Sequence, residues 1–195
     1  MIIEKEDFFK IFGEGKVLPE SEYVFTPKQD FEVLIAFIKT FHIESVLEIG
    51  IQSGYTAELV LKNASFVKQY IGIDLLPDSH TTLTNQEQEI PNEAGIRVKH
   101  DNRVTIITAP RGTRDINPSI LPKCQLVYID GDHSAQGVAF DYKFAKQVIM
   151  PGGIICWHDY NNLIGVNIAI ERINAKEGDS VIHVKDTHMC FKIMR

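Results

Sequence analysis

Val46-Leu47-Glu48-Ile49-Gly50-Ile51-Gln52-Ser53-Gly54-Tyr55-Thr56 is an apolar run that closes on an acid and two glycines. Past it, Ala57, Val60, Leu61 and Ala64 recur at i, i+3, i+4 and i+7, the spacing of one helix face. The stretch predicts a strand, a tight glycine turn and a helix. Glycine has no Cβ and reaches positive φ at little cost, so such a turn lets a ligand approach the backbone.

The same alternation continues in both directions. Asp30 reads as the N-cap of a one-faced helix marked by Phe31, Leu34, Ile35 and Ile38. Strands are predicted at 45–49, at 69–73 ending on Asp74, at 103–108, at 125–129 ending on Asp130, and at 154–157. Helices are predicted around 83–90, from 134 to 150, and through Val166, Ala169, Ile170 and Ile173. The last two strands, 180–184 and 189–193, are joined by residues 185–188 alone. So short a link demands an antiparallel hairpin, because parallel neighbours need a long crossover. Strands alternating with helices imply an α/β fold with a mostly parallel, doubly wound sheet. Residues 1–25 read as a lead-in containing a short helix, and 26–195 as one domain.

In such sheets ligands bind outside the carboxyl ends of the strands. Those ends carry Glu48-Ile49-Gly50, Asp74, Ala109-Pro110-Arg111, Asp130 and His158-Asp159. Asp74 lies 20 residues beyond Gly54, where an acid suits the two hydroxyls of a ribose. Nicotinamide dinucleotide binding would use the same device, but Gln52 stands at the middle glycine of Gly-x-Gly-x-x-Gly and weakens that reading.

A net charge of −6 argues against a binder of nucleic-acid backbones. No apolar run approaches the roughly 18 residues of a membrane span, and the acidic N-terminus lacks the pattern of a signal peptide. A cytoplasmic chain is expected. Cys124, Cys156 and Cys190 form no Cys-x-x-Cys pair and read as buried, reduced thiols.

Glu48-x-Gly50-x-x-Ser53-Gly54-Tyr55-Thr56, Asp74, Asp130 and Pro151-Gly152-Gly153 together resemble a class I S-adenosylmethionine-dependent methyltransferase. The resemblance covers residues 26–195 and implies a Rossmann-like, seven-stranded sheet with a C-terminal antiparallel hairpin. The first motif is similar to that of small-molecule O-methyltransferases of the catechol and caffeoyl-CoA type. Tyr128-Ile129-Asp130-Gly131-Asp132-His133-Ser134 and Trp157-His158-Asp159-Tyr160 resemble metal-dependent sugar O-methyltransferases of antibiotic pathways.

The resemblance implies that S-adenosylmethionine is held by Glu48, Gly50, Ser53, Gly54, Thr56, Asp74, Arg111 and Asp130, with Thr26 near its methionine end. It also implies a divalent cation, Mg²⁺ or Mn²⁺, on Asp130, His158 and Asp159, and His133 as general base beside Asp130. His158 departs from the pattern, since relatives usually carry a carboxylate there. Imidazole suits Mn²⁺, Fe²⁺ or Zn²⁺ better than Mg²⁺. Asp132 stands to orient either His133 or Arg111. Trp157 reads as core, and His42, His80, His100, His183 and His188 as structural or exposed.

The expected acceptor is a hydroxyl on a small molecule or sugar, and relatives often self-associate. A nucleic-acid amino-methyltransferase would carry Asn/Asp-Pro-Pro-Tyr/Phe where this chain has Asp130-Gly131-Asp132-His133. A catalytically inactive cofactor-binding module in a biosynthetic assembly is the alternative from another class.

Overall fold

The computed structural model describes residues 1–17, 26–80, 90–178 and 180–195. The strand that opens the deciding motif, β2 (Ser45–Ile49), lies in the middle of an eight-stranded sheet. It pairs in parallel with β3 (Gln69–Leu75) on one side and β5 (Cys124–Ile129) on the other. Beyond β3 lies β4 (Val104–Ala109), and beyond β5 lies β6 (Ile149–Trp157), both parallel. The hairpin of β7 (Ile182–Val184) and β8 (Cys190–Ile193) follows, with β8 antiparallel to both β6 and β7. A two-residue strand, β1 (Ile2–Ile3), runs parallel to β7 and completes the order β1-β7-β8-β6-β5-β2-β3-β4. The sheet thus has the expected fold, and β1 is an edge strand beyond the seven anticipated; two residues are too few to show a strand period.

Side chains alternate across the sheet, as the two-residue strand period requires. Val46, Leu126, Tyr128, Ile154 and Cys156 face one core layer, where they meet α1 (Lys5–Phe12), α2 (Lys28–Thr40) and α3 (Tyr55–Asn63). Leu47, Ile49, Val127, Ile129, Ile155 and Trp157 face the other, under α4 (Ala135–Val148) and α5 (Ile164–Glu177). The three cysteines are free and buried, and Trp157 is core. The N-terminal helix α1 is pinned by aromatic contacts of Phe8 with Phe37 and Phe191 at ring separations of 5.0 and 5.9 Å.

Two local expectations need correction. Helix α2 starts at Lys28 after Pro27, so Asp30 is not its cap but lies within its first turn, buried. Strand β6 starts at Ile149, which pairs with Cys124, and Pro151-Gly152-Gly153 lies inside it at a register shift rather than ahead of it. The helix expected around 83–90 falls almost wholly on residues 81–89, outside the described residues. No helix among the described residues is long and apolar enough to cross a membrane.

Candidate active site

The strand order reverses between β2 and β5, and the crevice of a doubly wound sheet opens at that point. The local chain explains why a glycine stands there. Gly50 has φ +91°, and a Cβ on it would lie 2.1 Å from the Asp130 carbonyl oxygen. Strand ends β2 and β5 therefore approach as closely as only glycine allows. Gly54, at φ +88°, starts α3.

A cleft opens beside this contact, lined among others by Gly50, Gln52, Asp74, Arg111, Asp130 and Asp141. Asp74 accepts hydrogen bonds from the Gln52 and Leu75 backbone N–H groups at 2.5 and 2.7 Å. Burial raises its carboxyl pKa, and those two hydrogen bonds offset part of the rise. Arg111 is exposed and clamped to Asp115 within its own turn. Ser53, Gly54, Thr56 and Glu48 do not line this cleft. Glu48 is instead buried, accepts a hydrogen bond from the Tyr70 hydroxyl at 2.8 Å, and is pushed well up in pKa by its burial. Thr26 is buried just ahead of α2.

At the end of β5 the chain turns into α4. Ser134 caps that helix by accepting from the Gly137 N–H at 3.0 Å. Asp132 accepts from the Ser134 N–H at 2.9 Å and pairs with Arg114 at 3.3 Å. The turn is backed by Gly165 of α5, where a Cβ would lie 2.2 Å from the His133 carbonyl oxygen.

These constraints bring four predicted residues together. His133 Nε2 lies 3.1 Å from Asp159 Oδ2 and 3.5 Å from Asp130 Oδ1. His158 Nδ1 lies 3.3 Å from each of the same two oxygens. Asp159 is held in the left-handed region at φ +60°, an uncommon conformation for this residue type and one that concentrates at functional sites. Asn162 donates to its Oδ1 at 2.7 Å, which leaves Oδ2 aimed at the two imidazoles.

The charges are mutually dependent. Burial acts to discharge His133, but hydrogen bonds to Asp130 and Asp159 outweigh it and hold its pKa at about 10. His158 is likewise raised well above its ordinary value against its burial, chiefly by the charge of Asp130. Burial would lift Asp130, yet the His158 charge and the hydrogen bonds from His133 and His158 together outweigh it and hold it at about 2. Asp159 is depressed for the same reason.

The donor set fits a divalent transition ion. Asp130, His133 and Asp159 offer ligand atoms within 4.8 Å of one another, and His158 Nδ1 lies 3.3 Å from the same two carboxylate oxygens, so the cluster presents a mixed nitrogen and oxygen donor set. A mixed nitrogen and oxygen set favours Mn²⁺, Fe²⁺ or Zn²⁺ over Mg²⁺.

Three residues escaped the sequence reading. Asp30 reaches from α2 to His158 Nε2 at 3.1 Å, and accepts the His188 backbone N–H at 3.0 Å. His188 therefore belongs with the site's surroundings. Asp141 of α4 lines the cleft and accepts from the Thr113 hydroxyl at 2.5 Å. No local spacing announces contacts 128 residues apart, as Asp30 and His158 are.

Residues 47–160, more than half of the chain, match the family model of the methyltransferase domain. The chain belongs to that family. With the class I sheet order it is an S-adenosylmethionine-dependent methyltransferase. An uncharacterized protein of Acanthamoeba polyphaga mimivirus is 26% identical to this methyltransferase over 168 residues, covering 82% of this chain and 72% of that protein. Among solved structures, the O-methyltransferase from Bacillus cereus in complex with S-adenosylhomocysteine superposes with a TM-score of 0.56. It is 16% identical, over 89% of this chain and 84% of its own. The O-methyltransferase NovP superposes with a TM-score of 0.60 at 12% identity, over 80% of this chain and 74% of its own. Likenesses this distant establish the fold of the methyltransferase and nothing finer.

Proposed function

We propose that this methyltransferase transfers a methyl group to a hydroxyl of a small molecule or sugar, with His133 as general base and a divalent cation on Asp130, His158 and Asp159. The observation that carries the reading is the convergence of His133 and His158 on the same two carboxylate oxygens, one of them from Asp130, which also lines the cleft.

The residues suit the parts of the reaction. Asp74, with both oxygens already oriented by backbone N–H groups, presents its carboxylate to a ribose diol, and Gly50 lets the cofactor lie close to the chain. Asp130 lines the cleft and touches both histidines, so it would hold an acceptor hydroxyl beside a cofactor bound there. The hydroxyl oxygen forms the new O–CH₃ bond as the C–S bond breaks to the neutral thioether, and its proton passes to His133 Nε2. Positioning supplies much of the acceleration in such an in-line displacement. When bound, a divalent ion polarises the acceptor oxygen and neutralises the carboxylates that otherwise hold the proton on His133. His133 needs that relief, because a base with a pKa of about 10 is already protonated at neutral pH.

The test is calorimetric titration with S-adenosylhomocysteine, after chelation and again with Mn²⁺, followed by transfer assays on hydroxyl acceptors. Micromolar binding, transfer that increases with Mn²⁺, and a drop of about 100-fold or more in kcat for His133→Gln are expected. The variant should bind S-adenosylhomocysteine as the parent does. Binding with no transfer to any acceptor selects an inactive cofactor-binding module, and no binding at all overturns the reading.

A further inference from the structure

We infer that Asp30 is the positioning residue that fixes the tautomer of His158 and so aims its Nδ1 lone pair at the cation site between Asp130 and Asp159. The inference rests on the cation reading above and adds to it a residue 128 positions away along the chain.

Asp30 Oδ2 lies 3.1 Å from His158 Nε2, and both side chains are almost wholly buried. Both Asp30 oxygens face nitrogens, Oδ1 the His188 N–H and Oδ2 His158 Nε2, and a carboxylate oxygen accepts, so Nε2 donates. In the neutral ring the lone pair then falls on Nδ1, the nitrogen that lies 3.3 Å from both Asp130 Oδ1 and Asp159 Oδ2. While Nδ1 carries a proton it donates toward these two oxygens; a cation that takes that proton's place finds the Nδ1 lone pair and the two carboxylate oxygens turned to the same point. Carboxylate, imidazole and ion in series is how metal-binding histidines are usually oriented, and losing the outer carboxylate typically costs about 10–100-fold in metal affinity.

A merely architectural role explains less. The other oxygen, Asp30 Oδ1, already ties α2 to the β7–β8 hairpin through the His188 N–H at 3.0 Å. That contact does not require a histidine at 158. A rival arrangement would make Asp30 itself a ligand, since Asp30, His158 and His188 also form a cluster with metal-ligand spacing.

The experiment uses the full chain and Zn²⁺, a diamagnetic probe. Long-range proton–nitrogen NMR of the Zn²⁺-loaded wild type is expected to show His158 protonated at Nε2 and metal-shifted at Nδ1. Calorimetry is expected to give one Zn²⁺ per chain, and Asp30→Asn is expected to weaken it 10–100-fold while S-adenosylhomocysteine affinity is unchanged. The substitution keeps an oxygen for the His188 N–H but turns an N–H toward Nε2, which forces the proton onto Nδ1. If the variant fails to fold, the wild-type spectrum decides alone. A proton on Nδ1 overturns the inference, as does unchanged Zn²⁺ affinity in a folded Asp30→Asn. Two ions per chain, one lost in the variant, would make Asp30 a ligand and also overturn it. If the wild type binds S-adenosylhomocysteine but no Zn²⁺, the cation reading falls with this inference while the methyltransferase assignment stands.

Discussion

Asp141 shows how a single side chain can set a pH limit. Burial pushes its carboxyl from 3.8 up to about 7, although the Thr113 hydroxyl pulls the other way. The folded protein therefore keeps this proton to higher pH than the unfolded chain does. Its stabilising contribution is complete below about pH 4 and is lost as pH rises toward 7. Asp141→Asn keeps the acceptor for Thr113 and removes the charge. The variant should gain on the order of 2–4 kcal/mol over the parent at pH 8 and almost nothing at pH 4. Urea denaturation at the two pH values checks this, and an equal gain at both would refute the burial account. Legibility at this scale depends on distance along the chain. Gly50, Asp74 and Asp130 were readable because a strand end and its turn are local. Asp30 was misread because an acid at a helix start satisfies capping rules whether or not it turns inward, and nothing near it points to His158.

At the scale of elements, strands and helices were readable wherever apolar periodicity was long. The antiparallel closing hairpin followed from chain length alone. Strand β6 was cut short because Pro151-Gly152-Gly153 looks like a turn, whereas it forms an exposed irregularity inside a paired strand. Helix α1 was expected only as a short helix in a loose lead-in, yet Phe8 is fully buried among Phe12, Phe37 and Phe191. Phe8→Ala should cost about 3–5 kcal/mol, the usual loss for emptying a core phenylalanine. Thermal and urea unfolding report it. A loss below 1 kcal/mol would mean that α1 contributes little to the core.

Across the whole molecule, the histidine–carboxylate cluster makes stability depend on pH in a definite sense. His133 is raised from 6.5 to about 10, so its contribution is complete below 6.5 and is lost as pH rises toward 10. Asp130 is lowered from 3.8 to about 2, so its contribution holds above 3.8 and is lost as pH falls toward 2. Chelated protein should therefore have its highest Tm between about pH 4 and 6.5 and lose stability toward pH 10. Mn²⁺, which competes with those protons, should raise Tm more at pH 9 than at pH 6. Thermal shift measurements across pH, with chelator and with Mn²⁺, test both statements; a chelated Tm that climbs from pH 6.5 to 10 contradicts them. The contact of Asp30 with His158 and His188 also bears on biogenesis. It joins a helix of the first forty residues to the closing hairpin, across 158 positions. The nucleotide crevice between β2, β3 and β5 is encoded well before that hairpin emerges from the ribosome. The crevice can thus take shape from residues that precede the hairpin, whereas the contact of Asp30 with the His188 N–H waits until β7 and β8 have docked.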